Sequence, residues 1–390
     1  MDFELSDELI VVRDLARQIA NDVVAPRARE IDLTSLYPTD IFEVFATTGL
    51  LGLCIPTEYG GAGVGILGLA IAVEEMAKFS STAALMLLLT RLAPGPILIG
   101  GTKEQKLKYL PQVASGSQRA SFALSESQAG SDVMGMSTHA SQDSKNPEVW
   151  VINGRKCWIS GISEADFFCV FAKTKPVENR THDSITCFIV DRNAPGVKMG
   201  TIDRKLGVHG VNTGELFLND VQVNSDQIVG GIGGFRLAMH SLNAMRPVVA
   251  ARGLGLAQGA MRYGLEYIKQ RDAFGKKVSE FQGIRWEVSK IAVEIEAARM
   301  LMYKAATLAD AGNYTKEYVP YLSMSKYYAT EVAVRASGLA IQLLGAAGYM
   351  MDHPVEMFYR DAKQLTIVEG TSQIQLDLIA RGIFDGDIRW

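Results

Sequence analysis

Cysteine is scarce in this sequence: there are four, Cys54, Cys157, Cys169 and Cys187, and no two stand at a CxxC spacing. That argues against a disulfide framework and against the common zinc-ligand patterns, and it suits buried free thiols in a reducing compartment. Positive charge is not in surplus either, since the formal net charge is −4 and no run of like charges occurs. Such a balance offers no basic face to nucleic acid. Long apolar runs are missing as well. Stretches such as residues 83–89 fall short of the roughly 20 residues a membrane helix needs, so no membrane span is expected. The opening MDFELSDELIVVRDLARQIA lacks the apolar core of a signal peptide and the Arg/Ser-rich texture of a transit peptide. The expected location is cytoplasmic.

What is present is an ordinary globular composition, 48% hydrophobic and 21% charged, over 390 residues. That length suits two or three domains. After Ser6, a candidate N-cap, Leu9, Val12, Leu15, Ala16, Ile19 and Val23 recur at helical spacing until Pro26. Helical patterns continue near residues 38–49, 67–78, 83–92 and 103–114. The texture then changes. VWVINGRKCWIS places Asn153-Gly154 between two β-rich runs, which predicts a hairpin. ADFFCVFAK, SITCFIVDR and GELFLNDVQV follow as short strand-like runs, giving a compact antiparallel barrel or sandwich from about 120 to 229. The glycine-rich segment 230–234 reads as an exit hinge. Helical patterns resume at 237–270, 280–312, 315–345 and 372–384, lengths that suit a bundle. Helix, strand and helix are thus segregated into domains of residues 1–118, 119–229 and 230–390, and an alternating parallel α/β sheet is disfavoured.

Two glycine-rich segments invite a nucleotide-binding reading and fail it. GLGLAQG, residues 253–259, has its third glycine one position late and lies inside a helical pattern, where small residues serve close packing. YGGAGVG, residues 59–65, lacks the P-loop lysine and reads as a turn. In TIVEGTSQIQLD, Glu369 precedes Gly370, and Ser372 with Gln375 has the pattern of a capping box. A carboxylate on a turn just before a helix is either a solvated loop residue or a base whose proton affinity is raised by an apolar pocket.

Six segments together carry a resemblance. ALSESQAGSD (123–132), GRKCWISG (154–161), QRDAFGKKVSEFQ (270–282), QLLGAAGY (342–349), YRDAK (359–363) and IVEGTSQIQ (367–375) resemble the acyl-CoA dehydrogenase family, in order and spacing, over essentially the whole chain. The resemblance implies a mostly α fold: an N-terminal helical domain, a middle antiparallel β-barrel domain and a C-terminal four-helix bundle. It implies FAD, with Ser125, Trp158, Ile159 and Ser160 at the flavin; Ser160 would offer its hydroxyl to N5 and Ser125 would lie near the pyrimidine edge. Arg271, Phe274 and Gln282 match positions that reach the FAD of a neighbouring subunit, and Gln342, Gly345, Thr371 and Gln373 match further FAD contacts. A homotetramer, built as a dimer of dimers, follows as an expectation. Ser131, Asn243, Arg246 and Gly370 match positions assigned to the acyl-CoA substrate.

The implied reaction removes two hydrogens from carbons 2 and 3 of a thioester. Glu369 would take the carbon-2 proton, while its backbone N–H and a ribityl hydroxyl hold the enolate oxygen. Met245 stands before Arg246-Pro247, where some branches carry the base instead. An electron-transferring flavoprotein is the implied acceptor. The alternatives are an oxidase, a flavin monooxygenase or redox-neutral lyase on the same fold, and a non-catalytic acyl-CoA-binding protein; Glu369 argues against the monooxygenase and lyase. Several positions depart from the pattern. Ser127 stands where proline is usual, which should loosen the flavin loop; Ala346 replaces a glycine, and Met357 a frequent arginine. Val368 stands where tyrosine is frequent, and in having valine there the chain resembles glutaryl-CoA dehydrogenases that do not decarboxylate. Arg91, within the apolar ALMLLLTRLAPG, needs a partner: either an ion pair, or the carboxylate of a dicarboxylic acyl-CoA.

Overall fold

The computed structural model describes residues 4–174 and 184–388. Seven helices come first: α1 (Asp7–Ile19), α2 (Ala25–Thr34), α3 (Thr39–Thr47), α4 (Gly65–Ala77), α5 (Ser81–Leu92), α6 (Gly95–Gly100) and α7 (Lys103–Ser115). Their starts are set locally. Ser6 and Ser80 accept N–H bonds from Leu9 and Ala83, and Thr102 with Gln105 forms a reciprocal capping box. The helix expected to end at Pro26 does not end there. A π-helical turn, Ala20–Val24, joins α1 to α2, and Pro26 sits in the first turn of α2, where a missing N–H costs little.

The middle of the chain holds β1 (Ala120–Ala123), β2 (His139–Gln142), β3 (Val149–Ser160), β4 (Phe167–Lys173), β5 (Ile185–Asp191), β6 (Val197–Ile202), β7 (Thr213–Asn224) and β8 (Ile228–Val229). Pairing runs β6-β7-β3-β2-β4-β5-β8, with β1 beside β4. This path is open at both ends, so the expected closed barrel is not what forms. Most pairs are antiparallel, but β1 and β2 each pair with β4 in parallel. The hairpin expected at Asn153-Gly154 is absent: β3 runs straight through both residues. Gly154 is there for a bulge against β7, at φ 152°, where a Cβ would collide with Thr138. Strands β4 and β5 are buried on both faces. Phe168, Val170, Phe188 and Val190 face a core shared with β3 and β7, while Cys169, Phe171, Cys187 and Ile189 face helices. That double burial explains their unbroken apolar sequence.

Beyond glycines at φ 72°, 77° and 92° (Gly230, Gly231, Gly233), α8 (Phe235–Gln270) begins the second helical set. A small hairpin of β9 (Asp272–Ala273) and β10 (Lys276–Lys277) leads to α9 (Gln282–Asp310), α10 (Val319–Leu344), α11 (Val355–Leu365) and α12 (Ser372–Phe384). Helix α10 packs against α8, α9 and α12, and against α11, a short helix the periodicity did not reveal. The two helical sets share one core, running from Val12, Phe45 and Met76 to Leu254, Met302 and Phe358. The GLGLAQG segment makes this contact close: a Cβ on Gly255 or Gly259 would collide with the carbonyls of Glu74 on α4 or Lys78 just after it. By length and composition alone, residues Ser81–Gly100 and Val319–Tyr349 are apolar enough to cross a membrane, contrary to the expectation from short apolar runs. In the fold their apolar faces pack into this core.

Candidate active site

Where α5, β3, α8 and the turn before α12 meet, they enclose a cavity of about 390 Å³. Ser125, Ser131, Trp158, Ile159, Ser160, Arg246, Glu369, Gly370 and Thr371, all singled out in the sequence, line it. Much of the remaining wall is apolar, from Leu85, Leu89, Leu92, Phe122, Met239 and Leu242, with Arg252 and Gln364 also on it. Asn243 is not on the wall; its Nδ2 donates to the Tyr314 carbonyl at 3.2 Å. Arg271, Phe274, Gln282, Gln342, Gly345 and Gln373 lie at the exposed surface, away from the cavity.

Trp158 shows how the backbone aims a side chain. Between Lys156 and Ile159 the β3–β7 register shifts, and at this bulge Trp158 adopts φ 57°. The left-handed residue breaks the in-out alternation, so a large indole stays 56% exposed on the cavity wall. The loop facing it is pinned from below. Lys156, wholly buried, donates from Nζ to the Leu124 carbonyl at 3.0 Å and to Glu126 Oε1 at 2.8 Å. Glu126 also accepts from Ser137 N and Oγ, Thr138 N and Gln128 Nε2. Burial alone would raise the Glu126 carboxyl, but Lys156 and these donors hold it down at about 2. This buried staple restrains the segment in which Ser127 replaces the usual proline, so the expected loosening has a counterweight. The staple was not anticipated from the sequence.

Glu369 stands on the turn between α11 and α12 with φ 53°, another left-handed non-glycine residue. The cap of α12 is Thr371, which accepts from Ile374 N at 3.3 Å, rather than the expected Ser372. Ser372 instead donates to Glu331 at 2.6 Å. Gln375, fully buried, donates from Nε2 to the carbonyls of Glu369 and Gly370 at 3.2 and 3.1 Å. Gly370 adopts φ 92°, and a Cβ there would strike Gln375, so glycine is required. The Glu369 carboxylate is left with Oε2 buried and without a hydrogen-bond partner. Its burial pushes the carboxyl up to about 7, against the opposing pull of Lys326, Arg252 and Arg246. Among the described residues, no acceptor holds the Glu369 backbone N–H.

Two of these cations were not singled out by sequence reasoning. Arg252 donates to Ser81 Oγ and Gln364 Oε1, each at 2.8 Å, and lines the cavity. Lys326 donates to the Gly370 carbonyl at 2.7 Å. Arg246 gives Nη1 to Ser323 Oγ at 2.9 Å and leaves Nε buried without a partner. Arg91 behaves differently. Leu85, Leu89 and Leu92 turn one side of α5 to the cavity, whereas Arg91 Nη1 lies beside Gly95 and has no hydrogen-bond partner. Among the described residues Arg91 forms no ion pair, and the neighbouring Asp310 is committed to the N–H groups of Ile66 and Leu67.

Sequence models of the N-terminal, middle and C-terminal domains of acyl-CoA dehydrogenases match residues 6–117, 121–221 and 233–384. The acryloyl-CoA reductase (NADH) of Anaerotignum propionicum is 40% identical over 98% of this chain and 96% of its own. The solved structure of butyryl-CoA dehydrogenase from Megasphaera elsdenii superposes with a TM-score of 0.94 at 33% identity, covering 98% of this chain and 100% of that one. A glutaryl-coenzyme A dehydrogenase in complex with glutaryl-CoA gives 0.93 at 35% identity, covering 99% and 97%. The chain therefore belongs to the acyl-CoA dehydrogenase family, whose members are FAD-dependent oxidoreductases. The cavity fits that cofactor: a solvent-facing indole flanked by the serines at 125 and 160 gives a flat apolar surface with hydroxyl donors, as a flavin ring requires.

Proposed function

We propose that Glu369 abstracts the carbon-2 proton of an acyl-CoA thioester as carbon 3 loses a hydride, giving the 2-enoyl-CoA. The observation that carries this reading is the unpartnered Oε2 of Glu369, buried at the wall of an otherwise largely apolar cavity. A carboxylate kept dry is a stronger base than one in water, and a group poised near neutrality matches the working pH of a general base. Arg246, Arg252 and Lys326 keep the anion from becoming prohibitive. The free N–H of Glu369 is available to the thioester oxygen, where negative charge develops as the proton leaves. FAD, when bound, supplies a two-electron acceptor for the hydride. Ser125, Ser160 and Trp158 would hold its ring, and Thr371 and Gly370 border the same space. For reoxidation we propose an electron-transferring flavoprotein, on the family resemblance.

The acyl group is proposed to be apolar. Five of the side chains forming the wall beyond the polar groups are Leu85, Leu89, Leu92, Met239 and Leu242. Arg91, which had suggested a carboxyl-bearing acyl chain, is not among the lining residues. Val368, on the wall next to the base, leaves room that a tyrosine would fill.

The surface residues point to a second copy of the chain. Phe274 is 96% exposed at φ 53°, at the tip of the β9–β10 hairpin, and Trp286, Val293 and Met300 present an apolar stripe at seven-residue spacing along α9. Exposed apolar groups arrayed like this mark association surfaces. With Arg271 and Gln282 nearby in sequence, they are proposed to meet a neighbour's FAD in a tetramer.

Three outcomes are expected. Glu369→Gln should still bind FAD, but anaerobic bleaching by acyl-CoA should slow by ~10²-fold or more; bleaching at the wild-type rate would remove the base assignment. Butyryl-CoA should bleach the wild type faster than glutaryl-CoA, and Arg91→Ala should change both rates by the same factor; a loss confined to glutaryl-CoA would place Arg91 against a substrate carboxylate. Light scattering should give four copies of the 42.4 kDa chain, and a monomer that retains FAD tightly would contradict the shared site.

A further inference from the structure

Lys326 is a buried lysine to which the reaction described so far assigns no step, and burial lowers its proton affinity to about 7. It lies on α10, fully buried, within the sequence LSMSKYYA. An unpaired buried charge is costly, so such a lysine needs strong partners. Its Nζ has one hydrogen-bond acceptor among the described residues, the carbonyl of Gly370, at 2.7 Å. No carboxylate lies within ion-pairing distance of it there, although Glu369 and Glu331 are near enough to favour its charge. A buried amine donor has therefore been placed on the Gly370 carbonyl, in the short peptide segment that carries the candidate base.

That peptide is unusual. Glu369 at φ 53° and Gly370 at φ 92° make two consecutive left-handed residues, which lifts the carboxylate off the end of α11 and into the cavity. A non-glycine residue costs of order 1–2 kcal/mol in this conformation unless its surroundings enforce it. Enforcement comes from two side chains. Gln375 Nε2 reaches the Glu369 and Gly370 carbonyls at 3.2 and 3.1 Å, and Lys326 takes the second lone pair of the Gly370 oxygen. Glu331, five residues further along α10, holds the start of α12 by accepting from Ser372 Oγ at 2.6 Å. The turn is thus tied to α10 at two residues, Gly370 and Ser372.

We propose that Lys326 is the positioning residue of the base, holding the Gly370 carbonyl so that Glu369 stays in its left-handed conformation with its carboxylate turned into the cavity. This rests on Glu369 being the base. Lys326 does not touch the reacting carbons; it acts through the turn and through its charge. The charged groups that face this pair are Arg246 and Arg252 from α8, Glu331 from α10 itself and, beyond Arg252, Asp361 from α11. Glu369 is pulled down by Lys326 as well as by both arginines. Below about pH 7, where Lys326 carries its proton, removing it leaves the carboxyl with a higher proton affinity, and the rate should need a higher pH to appear.

The test uses the FAD-loaded protein, butyryl-CoA and anaerobic stopped-flow bleaching across pH 5.5–9, with Glu369→Gln run alongside. Lys326→Met is expected to slow bleaching at least ~10-fold and to move the midpoint of its pH profile upward by ~1 unit. Lys326→Arg is expected to restore the midpoint. Gln375→Leu, which removes the other donor to the same carbonyls without changing charge, is expected to slow bleaching several-fold and leave the midpoint where it was. Lys326→Met that binds FAD and bleaches at the wild-type rate with an unmoved midpoint, while Glu369→Gln stays inactive, would overturn the positioning role and leave the base intact. If Glu369→Gln is active, the base assignment itself is what fails. Should Lys326→Met not retain FAD, Gln375→Leu and Lys326→Arg decide: a wild-type rate in the first, or a shifted midpoint in the second, overturns the proposal.

Discussion

The cost of keeping a carboxylate out of water governs this structure. A buried carboxylate loses hydration worth several kcal/mol and takes up a proton unless charge is arranged around it. Glu369 sits between the two extremes: burial raises its proton affinity to near neutrality, and Lys326, Arg252 and Arg246 keep it from rising further. Those three cations are themselves buried, and each has been given polar partners from a different element: Gly370, Ser81 with Gln364, and Ser323. None makes a direct ion pair with the base. An intimate pair would hold the carboxylate as a permanent anion with its lone pairs occupied, and a base needs one free.

The remaining architecture serves that arrangement. Helices α8 and α10 must lie close and in fixed register for their cations to reach the turn before α12, and Gly255 and Gly259 let α8 pack onto the α4 backbone. Facing the base, the β3 bulge turns Trp158 into the same space, while the Lys156–Glu126 staple restrains the loop carrying Ser125 and Ser131. Three non-periodic features, the backbone bulge, the side-chain staple and the left-handed pair, thus shape the cavity, and all three are supported from neighbouring elements. Strain held this way is expected at sites where geometry has to be preset.

The long helices were legible because their apolar residues repeat at helical spacing, and β4 and β5 because they are short runs of β-branched and aromatic residues. What misled was local punctuation. Asn153-Gly154 is a strong hairpin signal, yet the glycine serves a bulge inside one strand. Pro26 is a helix breaker, yet a π-helical turn absorbs it. The cavity residues at 125, 131, 158–160, 246 and 369–371 were found through family motifs, since a serine or tryptophan after a strand carries no chemical signal of its own. Arg252 and Lys326 offered the same cue that drew attention to Arg91, a cation inside an apolar helix. The cue locates buried charges but not the direction they face: Arg91 turns away from the cavity, while the other two act on the base. Phe274 and Arg271 are surface residues in a single chain, and their use depends on a neighbour.

The most direct measurement of this account is the pH dependence of kcat/KM for butyryl-CoA with the wild-type enzyme, which reports the proton affinity of the base in the free protein. The rate is predicted to rise with pH through a midpoint of about 7 and then level off, because only the deprotonated carboxylate can accept the carbon-2 proton. A midpoint at the ordinary value for a solvated glutamate, about 4.3, would contradict the claim that a dry, cation-balanced carboxylate does the work.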